Sequence, residues 1–347
     1  MEKDELILGI ETSCDETSAA VVSFQGNGIE RLKSNVIYSQ ICEHLEYGGV
    51  VPEIAARAHA NTLFPVIEQA LSKAGVSIDD ISAIAATCGP GLIGGLLVGS
   101  LAAKTIALIK QKPFIAINHL AAHAQVCRFV YDSIEFPFLL LLISGGHCQF
   151  LEVYGIKQYK LLGETLDDSA GEVFDKIARL LQVSGGGATI EKMAVNGDSK
   201  RFSFSIPLKD RNDCDMSFSG LKTAFRVLIE KMAPLSMQDK NDFAACLQKG
   251  IANALIDKAR RALGMTCEEV KKKRTFVVSG GVAANQTIRK AFQELCDCSN
   301  FQLFCPPIHL CTDNAAMVAW LGLEQYKAGF INDISFTPKP RWALEKL

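Results

Sequence analysis

The stretch LILGIETSCDETSAAVVSF, residues 6–24, decides the fold. An apolar run that ends at Ile10 is followed by the polar turn of residues 11–17, and a second apolar run follows from Ala19. Residues 138–153, FLLLLISGGHCQFLEV, repeat this plan around the turn at residues 144–147. Short apolar runs bounded by turn residues are typical of strands. The sequence therefore predicts two strand–turn–strand hairpins, one in each half.

Each hairpin has a later companion along the chain. Residues 81–92, ISAIAATCGPGL, read as a strand, a Gly-rich turn and the start of a helix that ends near Ile109. Residues 276–285, FVVSGGVAAN, follow the same order before a helix that ends near Leu295. Strands that lead through such turns into helices indicate a parallel α/β construction with sites at the strands' carboxyl ends. We expect two duplicated α/β halves with a cleft between them; the alternative is an unrelated α/β protein with coincidental repeats.

The composition is that of a globular protein with no general affinity for nucleic acid. The 347 residues are enough for two domains, 48% are hydrophobic, and the formal net charge is −2. If the protein binds RNA, a local basic patch or a partner must do so. The basic clusters are residues 209–211 and 271–274, each of which is either solvated surface or an RNA contact.

The sequence also bears on the compartment. Its twelve cysteines form no CxxC pair, and the acidic start, residues 1–5, is unlike a secretory or transit segment. The longest apolar run, residues 136–144, is too short to span a bilayer. We expect reduced thiols, a cytoplasmic location and no membrane contact.

Three turns have the composition of phosphate-binding loops. The first is residues 11–17, the second is Leu142-Ile143-Ser144-Gly145-Gly146, and the third is residues 279–285, which end in Asn285. Glycines let backbone amides approach an anion, and the third turn precedes a helix, whose N-terminus favours negative charge. Each could be a structural turn alone, but together they favour a nucleotide site.

His119 and His123 are the candidate metal ligands. They stand four residues apart in an Ala-rich segment, so they share one face of a predicted helix and can reach one metal. The alternative is a pair of half-buried polar histidines. Asp313 could supply a third ligand, or it could cap the helix that begins near Ala315. Two histidines and one carboxylate suit Fe(II) or Zn(II), and these residues do not decide between them.

The same segment weakens a metallopeptidase interpretation. A zinc peptidase of the HExxH type needs a glutamate directly after its first histidine to activate water. That position is Leu120, which cannot accept a proton. A peptidase of this mechanism is therefore disfavoured.

Taken together, the motifs resemble the TsaD family, the bacterial tRNA N6-adenosine threonylcarbamoyltransferases of the actin-like ATPase (ASKHA) superfamily. The resemblance runs nearly from end to end. Its strings are GIETSCDET (9–17), GVVPEIAARAH (49–59), GPGL (89–92), SGGH (144–147), DDSAGE (167–172), FDK (174–176), FSGLK (218–222), SGGVAAN (279–285) and CTDN (311–314).

The resemblance implies an α/β fold of two duplicated actin-like, RNase H-like domains with a central nucleotide and metal cleft. The first domain would span residues 1–132 and the second residues 133–324, with a helical insertion at about 164–265. A C-terminal helix at about 325–347 would pack back on the first domain.

It also implies the reaction. The threonylcarbamoyl group of threonylcarbamoyl-AMP would pass to N6 of adenosine 37 in tRNAs that read ANN codons, with release of AMP. ATP or ADP could occupy the same cleft. One divalent metal per chain, with Fe(II) favoured over Zn(II), would be held by His119, His123 and Asp313.

The family's other site residues carry over by motif. The substrate would be held by Leu142, Ile143, Ser144, Gly145 and Gly146, together with Asp175, Gly187, Glu191 and Asn285. Asp15 matches a family acid connected with catalysis. Because an adenine amine is a poor nucleophile, we hypothesise that Asp15 acts as a base.

The expected partners are tRNA, a TsaB-like paralogue of the same fold and a TsaE-like P-loop ATPase. Two other classes of function stay open at this point: a metalloendopeptidase of the glycoprotease type and a non-enzymatic actin-like scaffold. A scaffold of that kind would be expected to lack the metal ligands, which this chain retains.

Overall fold

The computed structural model describes residues 5–47 and 49–347, so the acidic start at residues 1–4 lies outside the described part. The chain forms two compact units. Unit 1 comprises the described residues up to Glu135 together with Gly155–Gln158 and Thr312–Leu347. Unit 2 comprises Phe136–Tyr154 and Tyr159–Cys311.

Strands and helices are numbered along the whole chain. The strands are β1 (Leu6–Glu11), β2 (Glu16–Ser23), β3 (Leu32–Ser39), β4 (Ala83–Gly89), β5 (Phe114–Asn118), β6 (Phe138–Ile143), β7 (Cys148–Gly155), β8 (Gln158–Glu164), β9 (Thr275–Ser279) and β10 (Gln302–Phe304). The helices are α1 (Ile41–His44), α2 (Pro52–Ala74), α3 (Ile93–Ile109), α4 (His119–Val130), α5 (Ala170–Leu180), α6 (Gly186–Ala194), α7 (Ser219–Met232), α8 (Met237–Met265), α9 (Glu268–Lys273), α10 (Gln286–Ser299) and α11 (Ala315–Lys327).

The two units contain the same five-stranded sheet. Unit 1 has the strand order β3-β2-β1-β4-β5, and unit 2 has β8-β7-β6-β9-β10. In unit 1 the first hairpin strand, β1, pairs antiparallel with β2 and parallel with β4. In unit 2, β6 pairs in the same way with β7 and β9. The predicted duplication of a hairpin-led α/β half is therefore confirmed.

Each unit has its own apolar core. Strand β1 is buried along its whole length and β6 likewise, because helices cover both faces of a sheet with parallel strands. The predicted apolar runs therefore show no alternation of polar residues. No disulfide links the twelve cysteines, all of which are described, in agreement with the expectation of reduced thiols. Among the described residues, no helix combines the length and apolarity needed to cross a membrane.

The structure differs from the predicted second half, residues 133–324, because helix α11 belongs to unit 1. Small residues permit this packing. A Cβ atom on Gly9 of β1 would lie 2.5 Å from the Ala315 carbonyl oxygen and 2.8 Å from the Ala319 Cβ. Only glycine at this position lets α11 lie so close to the sheet. As a result Asp313, just before α11, lies in the same unit as α4.

The predicted helix at about 325–347 is wrong. Helix α11 ends at Lys327, and beyond it the only helical element is the 3-10 turn Leu344–Lys346 among the residues that the structure describes. Pro338 and Pro340 lack the amide protons that a helix needs. The segment does pack on unit 1: the Lys339 N–H donates to the Cys88 carbonyl oxygen at 2.7 Å.

The predicted helical insertion, about 164–265, contains α5 to α8. Its first part is not helical, since β8 runs to Glu164 and α5 begins only at Ala170, capped by Ser169. The Asp167 side chain binds the start of α7: its carboxylate accepts from the Phe218 N–H at 2.8 Å and the Ser219 hydroxyl at 2.6 Å. The loop before α5 thus serves to hold the start of α7.

Candidate metal centre

Helix α4 places the two histidines on one face, as their spacing predicted. The helix begins at His119, and the Asn118 side chain caps it by accepting from the Ala121 N–H at 3.1 Å. The two imidazole rings meet edge to face, with centroids 4.8 Å apart. His123 is fully buried, and 12% of the His119 side chain is exposed. Both rings are therefore fixed by the fold.

Asp313 does not cap helix α11, which was one of the two roles that the sequence allowed for it. Helix α11 is capped by Asn314, whose Oδ1 accepts from the Met317 N–H at 3.1 Å. The Asp313 Oδ1 instead lies 3.0 Å from Nε2 of His123 and 3.4 Å from Nε2 of His119. One ligand atom from each of the three residues lies within 4.8 Å of the others.

The two separations from Asp313 fit a shared metal. Donor atoms bound to one ion at about 2.1 Å lie about 3.0 Å apart at a right angle and about 3.4 Å apart at the tetrahedral angle. The two distances from Asp313 Oδ1 are 3.0 and 3.4 Å. Two imidazole nitrogens and one carboxylate oxygen leave coordination positions open, as a catalytic rather than a structural site requires. The three residues could therefore hold a metal at which chemistry takes place.

Glu11, at the end of β1, holds His119 from the opposite side of its ring. The Glu11 Oε2 lies 3.0 Å from Nδ1 of His119 and also accepts from the Thr87 hydroxyl at 2.6 Å. The Glu11 Oε1 accepts from the Ser13 N–H at 2.6 Å. A carboxylate on the far nitrogen fixes the tautomer and the orientation of a metal-binding histidine. Since its oxygens are already taken, we interpret Glu11 as an orienting group.

Charge and burial oppose each other in this cluster. Burial disfavours a charged His119, but the Asp313 and Glu11 carboxylates outweigh it and raise the pKa of His119 well above its ordinary value. Burial likewise disfavours the Glu11 carboxylate, yet the His119 imidazole leaves the pKa of Glu11 lowered. Burial has the same effect on Asp313, and His119 again reverses it, so the pKa of Asp313 is lowered. Without a metal, these shifts favour ionised carboxylates and a protonated His119, whose proton a bound metal would replace.

Replacing Glu11 by glutamine should weaken metal binding by about 10–100-fold, because His119 would lose its anionic support. The measurement is a titration with Fe(II) or Zn(II) against a competing chelator. Glu152→Gln is the matched control, since Glu152 is equally buried but accepts from Tyr154 and the Cys267 N–H, in unit 2. Unchanged metal affinity in Glu11→Gln would show that His119 needs no such support.

The role of Glu11 was missed in the sequence. A glutamate at the end of an otherwise apolar strand is a visible signal, but its partner Thr87 is 76 positions away. Only the pairing of β1 with β4 brings them together.

Asp15 lies in the turn between β1 and β2, in the same unit as the metal ligands, and is partly exposed. Beside it, burial, Asp313 and Asp15 raise the pKa of Glu16 to about 10. Buried His59 holds this turn: its Nε2 donates to the Cys14 carbonyl oxygen at 3.0 Å, and its Nδ1 lies 2.8 Å from the Thr17 hydroxyl. Burial lowers the pKa of His59, so the ring is neutral and serves as one donor and one acceptor. The first turn is thus rigid, and Asp15 has a fixed place in it.

The predicted substrate-binding residues all belong to unit 2. Leu142 and Ile143 are buried at the end of β6, and the turn that follows is closed by the Ser144 N–H, which donates to the His147 carbonyl oxygen at 2.8 Å. Gly145 and Gly146 are exposed. A Cβ atom on either would meet nothing within 4 Å. No protein neighbour demands glycine at either position, so the space beside this turn is open; a ligand that approaches the turn closely is the interpretation tested below.

The other four predicted residues form hydrogen bonds around helices α5, α6 and α10. Asp175 of α5 accepts from the Gly187 N–H at 3.2 Å. Glu191 of α6 accepts from the Gln286 N–H at 2.7 Å, next to Asn285. The Asn285 side chain caps α10 by accepting from the Ile288 N–H, and it donates to Gln248 at 2.7 Å. Glu191 and Asn285 therefore hold the start of α10, and Asp175 holds the start of α6.

Gly145→Ala should reduce affinity for an adenine nucleotide at least tenfold while changing the free energy of unfolding by less than about 0.5 kcal/mol. The added methyl group would take space that the protein itself leaves open. Gly280→Ala is the contrasting variant, because Gly280 has φ +97 and its Cβ would collide with the Ile143 carbonyl oxygen. We expect that variant to lose stability. Calorimetric titration with ADP and denaturant unfolding separate the two effects; normal ADP affinity in Gly145→Ala would refute the ligand interpretation.

Known proteins resemble this chain over nearly its whole length. Residues 31–320 match the family described as TsaD: tRNA N6-adenosine threonylcarbamoyltransferase. The chain is 49% identical over 343 residues to the tRNA N6-adenosine threonylcarbamoyltransferase of Brucella abortus (strain S19), covering 98% of this chain and 95% of that protein. A protein of the same name from Rhodospirillum rubrum is also 49% identical, with coverage of 98% and 94%.

A solved structure extends the comparison to the fold. Component A of the (R)-2-hydroxyglutaryl-CoA dehydratase of Acidaminococcus fermentans superposes with a TM-score of 0.54 at 16% identity, covering 93% of this chain and 98% of that one. At this level of identity the likeness concerns the fold alone. Together with the duplicated sheet, it identifies a two-domain actin-like fold.

Proposed function

Because this chain belongs to the TsaD family of tRNA N6-adenosine threonylcarbamoyltransferases, we propose how its own residues perform the transfer. The protein is an enzyme that forms N6-threonylcarbamoyladenosine in tRNA. We propose that His119, His123 and Asp313 hold one divalent cation, and that threonylcarbamoyl-AMP is the donor. The observation that carries this is that one ligand atom from each of the three residues lies within 4.8 Å of the others. One of the three, His119, is already oriented by Glu11.

The donor set fits both Fe(II) and Zn(II), and we propose Fe(II) because the family resemblance favours it. Two histidines and one carboxylate with open positions are the set that non-haem Fe(II) favours. When bound, the cation would supply a Lewis acid that polarises a carbonyl or phosphate oxygen of the donor. Glu11 keeps Nδ1 of His119 engaged, so that Nε2 faces the ion. The glycine turn of unit 2, Gly145 and Gly146, would offer backbone amides to the phosphate.

The proposed reaction is an acyl transfer. The N6 nitrogen of the adenosine attacks the carbamoyl carbon, a C–N bond forms, the C–O bond to the phosphate breaks, and AMP leaves with that oxygen. The proton of the attacking amine passes to the Asp15 carboxylate. Asp15 is suited to this because its turn is held by His59 and its side chain is partly exposed. ATP or ADP would compete for the same phosphate-binding turn.

The exposed apolar side of helix α3 favours binding of a protein partner of the same fold. One side of this helix carries exposed apolar residues at helical spacing: Ile93, Leu97, Leu101 and Leu108, each between 48% and 66% exposed. A contiguous exposed apolar face of this kind marks an interaction site. We propose that a TsaB-like paralogue covers it, and that a TsaE-like P-loop ATPase completes the system. A cytoplasmic location stays a prediction.

A single reconstitution tests the function. The purified chain is combined with threonine, bicarbonate, ATP, an adenylate-forming enzyme, both proposed partners and an unmodified tRNA, and the nucleosides are analysed by mass spectrometry. We expect threonylcarbamoyladenosine at position 37 and none when this chain is omitted. Absence of the product in the complete mixture would contradict the proposed route, and full activity without the paralogue would contradict the proposed partner.

A further inference from the structure

Helices α5 and α7 of unit 2 enclose an open groove of about 530 Å³, here called the α5–α7 groove. It is lined by Lys176, Arg179, Leu180, Lys222, Thr223 and Arg226. Four of these six residues are cationic. On α5 the two cations are three residues apart and on α7 four apart, so each pair shares one helix face. Each wall of the groove therefore carries two cationic side chains.

Two of the four cations form ion pairs with acidic residues, and the other two are available to bind a ligand. Asp168 pairs with Lys176 at 3.0 Å and also with Lys222, and so anchors one lysine from each wall. Glu172 adds a second contact to Lys176 at 2.5 Å. Arg179 and Arg226 are exposed, and neither forms an ion pair with an acidic residue of the described chain. Four cations against two anions leave the groove positive.

This excess is notable in a chain whose formal net charge is −2. Of the two basic clusters that the sequence singled out, residues 209–211 are neutralised by neighbouring acids, and residues 271–274 are paired only in part. Arg211 pairs with Asp213 at 2.5 Å and with Asp215 at 3.3 Å. Lys271 pairs with Glu268 at 3.3 Å. The α5–α7 groove gathers four cations of two helices around one cavity, and it is therefore a candidate for the local patch that RNA binding requires.

We propose that the α5–α7 groove holds the phosphodiester backbone of the tRNA substrate. The proposal rests on the function proposed above, which requires an RNA to be held while its adenosine reacts. Guanidinium groups present several N–H donors in a plane and bind phosphate through paired hydrogen bonds. Arg179 and Arg226 would make those contacts, while the anchored lysines add positive charge one turn earlier on each helix. Thr223 also lines a second, neighbouring groove beside α7. Lys231 lines this second groove as well, and it could extend the contact along the RNA strand.

The test is the double variant Arg179→Ala/Arg226→Ala, measured with an unmodified tRNA transcript. We expect the KM for tRNA to rise at least tenfold, with kcat at saturating tRNA, metal content and ADP affinity unchanged. The slope of log affinity against log salt concentration should become shallower by roughly one to two. Arg179→Lys/Arg226→Lys should recover only part of the affinity, because lysine keeps the charge but not the paired hydrogen bonds.

The control removes the same charge elsewhere in unit 2. Arg260→Ala/Lys290→Ala replaces two exposed cations outside the groove, and its KM for tRNA should stay at the wild-type value. An unchanged KM and salt slope in the groove variant would overturn the proposal. So would normal tRNA binding with loss of stimulation by the P-loop ATPase, which would make the groove a protein-docking surface. If the wild-type chain itself forms no product, the proposed function fails, and direct tRNA binding by the variants still tests the groove.

Discussion

We expect replacement of Asp313 by alanine to abolish both metal retention and threonylcarbamoyl transfer. Asp313 is the anionic member of the ligand set, and its Oδ1 lies 3.0 Å from His123 and 3.4 Å from His119. Loss of a supporting residue costs about 10–100-fold in metal affinity, and loss of a direct ligand should cost more. Metal per chain, measured by plasma mass spectrometry, should fall towards zero, and product formation should fall below detection.

Two comparisons make this result specific to the metal. Asp297→Ala, at an exposed aspartate of unit 2, should keep its metal and its activity. Wild-type protein stripped with a chelator should lose activity in the same way as Asp313→Ala and regain it on reloading, with Fe(II) more effective than Zn(II). An active Asp313→Ala variant with a full complement of metal would remove Asp313 from the ligand set. Greater recovery with Zn(II) would reverse the proposed preference.

The fold was predictable where local pattern and architecture agree. The two hairpins, the strands that lead through Gly-rich turns into helices, and the duplication are all visible as apolar runs and turn residues. Strand β6 has the predicted bounds, Phe138–Ile143. Buried strands in such sheets are apolar throughout, so their ends coincide with the change to polar turn residues.

The errors arose where tertiary contacts decide the structure. Residues 165–169 are not helical because Asp167 binds the start of α7, more than 50 positions away. Helix α11 lies in unit 1 because Gly9 lets it approach the sheet, a contact that no local pattern reveals. The spacing of the histidines indicated two of the three candidate ligands. For Asp313 the sequence allowed two roles, a metal ligand or a helix cap. The position of Asn314 as the cap removed that ambiguity.

Asp15→Asn should reduce transfer to tRNA by at least about 100-fold, the loss expected when a general base is removed. Asparagine keeps the size of the side chain and a carbonyl oxygen but cannot accept the proton of the adenosine amine. The turn itself should survive, because His59 holds it through the Cys14 carbonyl and Thr17, neither of which changes. Metal content, ADP affinity and the KM for tRNA should therefore remain at wild-type values while kcat falls.

This separation between kcat and binding distinguishes a base from a structural residue. If Asp15 only shaped the turn, its replacement would disturb the adjacent residues of the metal centre, and metal content would fall together with activity. Asp79→Asn, at an exposed aspartate of the same unit, makes the same chemical change on the surface and should have no effect. Undiminished kcat in Asp15→Asn would exclude Asp15 as the base. The adenosine amine would then have to lose its proton to another group, and Glu16 is poorly suited because its pKa is raised to about 10 by burial and the nearby acids, leaving it protonated near neutral pH.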